Sequence, residues 1–156
     1  MKPSLVWWAA IVISGMMTLG ARIVQENTNL LPIVISEEYQ VRNVTREGIA
    51  SQIPEQKPAT QLSMVLTRHE KEAHLFFWEG FPLRDLGPMQ EQESWETTFL
   101  EGNAHVIRTT MFMGQQEEVL VLHYQVAEKA RLMIYSKDMS KEEFHEMLNS
   151  MQRKSN

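Results

Sequence analysis

The chain has 156 residues, 43% of them hydrophobic, a formal net charge of −5 at pH 7 and no cysteine. The missing thiols exclude disulfides, thiolate zinc sites, iron–sulfur clusters and cysteine nucleophiles together. Lys2 is the single charged residue before Arg22, so setting it aside takes the balance from −5 to −6 for the rest of the chain. That acidic balance argues against a nucleic-acid partner, and its scattered acids read as an ordinary solvated surface.

The first element is the uncharged run Ser4–Ala21. As a helix it covers roughly 27 Å, close to the hydrocarbon thickness of a bilayer. Leu5, Val6, Trp7, Trp8, Ile11, Val12, Ile13, Met16, Met17 and Leu19 would face lipid, with the two indoles at the headgroup boundary. A cleaved secretory signal is the competing reading. Against it, Leu19 stands where cleavage after Ala21 wants a small residue, and the apolar run exceeds the roughly 7 to 15 residues of a signal core. Residues 1–24 are therefore expected to be a membrane anchor or signal segment. The chain would be single-pass, with its C-terminal domain extracytoplasmic, in a periplasm or at a cell surface.

Residues 25–58 read as a stalk or linker with short elements, because Pro32, Pro54 and Pro58 interrupt any long one. Ile33-Val34-Ile35 is a strand candidate, and Thr45 is placed to cap a brief helix over Arg46–Ile53. Residues 59–156 form the expected domain. Gln61–His69 and Ala73–Glu79 predict one hairpin around Glu70-Lys71-Glu72. Residues 81–92 read as a long loop, and Ser94–Leu100 with Ala104–Met113 predict a second hairpin. Glu118–Val126 and Arg131–Ser136 complete the strands. Connections this short cannot carry parallel crossovers, so an antiparallel meander is expected.

Ser140-Lys141-Glu142-Glu143 is a capping box, and Phe144, Met147, Leu148 and Met151 then recur at helical spacing. Arg153 and Lys154 would place positive charge near the helix C-terminus. The expected fold class is α+β: an N-terminal transmembrane helix, then an antiparallel β-meander sheet packed by a C-terminal helix.

No nucleophile elbow, Ser-x-x-Lys, His-Glu-x-x-His or phosphate loop is present, so no catalytic residue and no enzyme activity is assigned. The soft or borderline metal ligands are five histidines (His69, His74, His105, His123 and His145) and eleven methionines. Met111 and Met113 share one face of a strand, a pattern that suits Cu(I) as well as core packing. His145 points away from the stripe of Met147. Core packing is the simpler account, and no metal or cofactor is assigned.

Bulky rings cluster at Phe76, Phe77, Trp78, Phe81 and Trp95, around a loop that carries Arg84. Phe76, Trp78, Phe81, Arg84 and Trp95 are the candidate partner surface, since exposed apolar patches mark contact sites. The competing account folds Phe81-Pro82-Leu83 and Leu86 back over the rings as a plug. Arg108 is expected to pair across strands with Glu79 or Glu96. The expected function is a non-enzymatic, membrane-anchored accessory or assembly subunit of a membrane or envelope protein complex, touching membrane lipid and no nucleic acid. The alternative is an extracytoplasmic module, tethered or secreted, that binds a small ligand, a lipid or copper.

Overall fold

The computed structural model describes residues 30–49, 59–80, 91–112 and 114–154. The chain divides into two compact units after Leu31, the second being Pro32–Asn156. Its elements are β1 (Ile33–Val34), β2 (Gln40–Ile49), β3 (Ala59–Arg68), β4 (Lys71–Glu79), β5 (Glu93–Phe99), β6 (Gly102–Phe112), β7 (Gln116–Ala127), β8 (Ala130–Ser136), helix α1 (Lys141–Ser150) and β9 (Gln152–Arg153).

The strands predicted from alternating apolar residues are found within two residues of their expected ends. The tight turns fall one residue earlier than the polar triplets suggested. His69–Glu70 and Leu100–Glu101 close two hairpins, all four residues with positive φ. That is the backbone which matches the twist of the flanking strands in two-residue hairpins. Gly114, at φ +86°, occupies the β6–β7 turn, where a side chain would be strained.

Four expectations are corrected. Strands take up 66% of the described residues and α1 is the single described helix, so the fold is mainly antiparallel β rather than α+β. The expected helix over Arg46–Ile53 is strand as far as Ile49. Val41, Val44 and Thr45 favour strand, and a bulge at Asn43 (φ 50°) shifts the register between Arg42 and Thr45, which hides the alternation. The sheet is also not one meander. Its order is β2-β3-β4-β8-β7-β6-β5, two meanders joined where β8 pairs with β4. With Leu132 and Ile134 buried on one face and Met133 on the other, β8 suits the middle of a sheet, not its edge.

The fourth correction concerns the membrane. The predicted anchor Ser4–Ala21 lies outside the described residues. Among the described residues no helix is long and apolar enough to cross a membrane. Helix α1 has ten residues, about 15 Å, half a bilayer core. The single-pass membrane assignment, and the extracytoplasmic location built on it, find no support.

Helix α1 starts at the predicted capping box. Glu143 N–H donates to Ser140 Oγ, and Ser140 N–H donates to the Glu143 carboxylate. It ends at Ser150 with no basic residue in its last turn, and Arg153 instead lies in β9, paired with Ile33 of β1. Phe144, Met147 and Leu148 are buried against the sheet face that carries Leu62, Leu75, Leu122, Leu132 and Ile134. Two flanks of the helix reach distant strands: Glu143 pairs with Lys71 at 2.6 Å, while Lys141 pairs with Glu93 at 3.2 Å.

Candidate functional site: a ring stack on the helix-free face

Alternation along β4 divides its side chains. Ala73, Leu75 and Phe77 are buried toward α1, while His74, Phe76 and Trp78 project half-buried from the opposite face. The β4–β8 register sets Tyr135 across from His74, Met133 across from Phe76 and Arg131 across from Trp78. Four rings stack in series: His74 on Tyr135 at 4.8 Å and 6°, Tyr135 on Phe76 at 6.0 Å and 11°, and Phe76 on Trp78 at 5.7 Å and 12°. Trp78 Nε1–H donates to Gln61 Oε1 at 2.8 Å, which fixes the far end of the row. Phe76, Trp78, Tyr135, Ile107 and Met111 pack against buried Val119, Val121 and Met133, so this face holds a second, smaller apolar cluster.

The stack is uncharged at neutral pH. Burial holds the imidazole of His74 below its ordinary value, with Lys137 adding to the effect and Glu72 and Asp138 opposing it. Burial likewise raises the phenol of Tyr135. The unfolded chain therefore takes up a proton at His74 before the folded chain does. The resulting stability is complete above about pH 6.5 and is lost as pH falls through the lowered folded value. Urea midpoints measured from pH 7 to pH 5 should fall with pH, and His74→Gln should reduce that slope. His123, also lowered, leaves a residual one. An unchanged slope in the variant would remove His74 from this account.

Of the five residues expected to form one surface, the structure brings Phe76 and Trp78 together. Phe81 and Arg84 lie outside the described residues. Trp95 sits on β5, on the helix-bearing face, four strands from β4. It clamps α1: its indole N–H donates to His145 Nε2, its ring stacks on the imidazole, and Lys141 Nζ lies 4.0 Å from the ring centroid. Arg108 pairs with Glu118 at 2.7 Å and Glu93 at 3.3 Å, not with Glu79 or Glu96, because β5 and β7 flank it on its own face.

The clamp also brings Thr97 Oγ1 within 3.2 Å of His145 Nδ1, a pairing with the outline of nucleophile and base. The indole N–H occupies the Nε2 lone pair, so Nδ1 carries the proton and donates to Thr97. An imidazole so engaged has no free lone pair to activate the hydroxyl. In a groove of about 780 Å³ beside β2 and β3 the two lining arginines are already engaged. Arg68 there meets Glu38, Glu146 and Tyr39, and Arg42 donates to Gln40. Among the described residues no three His, Asp or Glu side chains converge to hold a metal.

Sequence reasoning missed His74 and Tyr135. Alternation in β4 marks His74 as a companion of Phe76 and Trp78, but Tyr135 joins them only through the long-range β4–β8 pairing. Phe112, 78% exposed beside the β6–β7 turn, is a second apolar feature of the surface, flagged in the sequence by Met111-Phe112-Met113. In comparisons with known proteins, the chain matches no family model, no curated protein and no solved structure.

Proposed function

We propose that this chain is a non-enzymatic accessory or assembly subunit that binds a partner protein through the helix-free face of its sheet. The observation that carries this reading is the stack His74, Tyr135, Phe76 and Trp78, left half-buried on a face whose opposite side is filled by α1. Aromatic side chains supply large, rigid contact area at low entropic cost, and tryptophan and tyrosine dominate the energetics of protein interfaces. The acidic balance of the chain favours a protein partner over nucleic acid.

The test is purification of the tagged full chain from its native cells, with quantitative mass spectrometry of what accompanies it. A stoichiometric partner is expected, and Trp78→Ser should weaken its retention by about 30-fold, the effect of losing a hot-spot side chain worth roughly 2 kcal/mol. The same variant's urea midpoint reports whether the fold survives. A wild-type chain that purifies alone, or a partner held equally by a folded Trp78→Ser variant, would sink the proposal.

A further inference from the structure

The sheet ends in two edge strands, β2 and β5, and among the described residues no strand pairs with the outer side of either. An open edge presents unpaired backbone N–H and C=O groups, a template on which another strand can pair. β2 is the longer of the two, ten residues against seven. We propose that two copies of this chain associate through their β2 edges, antiparallel about a two-fold axis at Thr45, to make one continuous sheet.

The bulge in β2 sets up this pairing. Arg42 stands opposite Val65 and Thr45 opposite Ser63, so Asn43 and Val44 together face the single Met64 of β3, and Glu47 then stands opposite Gln61. Arg42 and Glu47 are thereby four ladder positions apart rather than five, with Thr45 midway. An even spacing puts all three side chains on one face, and their β3 partners lie beside His74, Phe76 and Trp78, which identifies it as the helix-free face. Without the bulge Arg42 and Glu47 would project to opposite faces.

In an antiparallel pair centred on Thr45, Arg42 of each copy meets Glu47 of the other, so the attraction occurs twice, as a two-fold interface requires. Val41 falls opposite Gly48 on the other face, where nothing lies within 4 Å of the place a Cβ would take. The charges are available: Arg42, Thr45 and Glu47 are exposed, Arg42 donates to the neutral Gln40 at 2.7 Å, and Glu47 has no ion pair among the described residues. The other edge lacks this pattern. The charged residues of β5 are the acids Glu93 and Glu96, so self-pairing there brings no opposite charges together, and Glu93 already meets Arg108 and Lys141. Joining β2 of one copy to β5 of the next leaves a free edge at each end, whereas β2 on β2 closes at two copies. The ring stack is not part of this interface, so the dimer does not depend on the partner proposed above.

The test is sedimentation velocity of the full chain over a range of concentrations. A monomer–dimer equilibrium is expected, weaker at high salt because exposed ion pairs are screened. Arg42→Glu and Glu47→Arg should each weaken the dimer by at least about tenfold, since each sets two like-charge pairs across the axis. The double swap Arg42→Glu/Glu47→Arg restores opposite charges and should return the affinity to within about threefold of the wild type. Both positions are exposed, so all three variants should keep the wild-type urea midpoint. The chain has no cysteine, so Thr45→Cys introduces a single thiol, and residues opposite each other have Cβ atoms about 4.5 to 5.5 Å apart, near disulfide reach. On oxidation Thr45→Cys should cross-link to a covalent dimer far faster than Thr98→Cys, which carries its thiol on the β5 edge. The proposal fails if the chain is monomeric at every concentration, if the double swap does not restore what the single reversals lose, or if the two cysteine variants cross-link at the same rate.

Discussion

Phe144→Ala is expected to lower the free energy of unfolding by about 3 to 5 kcal/mol, the cost of removing a buried aromatic ring and leaving its cavity. Phe144 is 0% exposed, and its neighbours on the inner stripe of α1, Met147 and Leu148, are equally enclosed. A ten-residue helix is too short to persist in water alone, so α1 depends on this packing and on its capping box. Of these, the cap contributes only about 1 kcal/mol. Because a domain of this kind has about 5 to 15 kcal/mol in total, the variant should lose much of its stability. Urea unfolding followed by circular dichroism measures it. A loss below about 1 kcal/mol would mean that the stripe is not a core contact.

Ile134→Pro should abolish cooperative folding. Ile134 is 0% exposed, and β8 is hydrogen-bonded on both sides, with Leu75 of β4 and Leu122 of β7 as the partners of Ile134. Proline removes a ladder donor and clashes with the neighbouring backbone, so it is confined to sheet edges and bulges. In a single meander β8 would be the last strand with one free side, and the substitution would be far milder. Ile134→Ala provides the comparison, costing about 2 to 5 kcal/mol while keeping one unfolding transition. An Ile134→Pro chain that unfolds cooperatively near the wild-type midpoint would refute the central position of β8.

The partition between what was legible and what was not follows from the range of the forces involved. Hairpins were legible because strand alternation and polar turns are local: Gln61–His69 and Ala73–Glu79 identify β3 and β4 to within two residues. The start of α1 was legible because its cap closes between Ser140 and Glu143, three residues apart. The bulge at Asn43 concealed β2, since one extra residue reverses the alternation on which the reading depends. Trp78 and Trp95 looked like neighbours because they are close in sequence, but nothing local links the face parity of β4 to that of β5 across residues 80–92.

The sequence by itself therefore determined the local elements of this protein, its acidic surface and the absence of thiol chemistry. Only the tertiary structure decided that β8 enters between β4 and β7, and with it the ring stack through Tyr135. The physical reason is that several of these strands carry apolar residues on both faces, so many pairings satisfy their local pattern. The choice among them comes from which arrangement buries both faces at once, one under α1 and the other in the smaller apolar cluster.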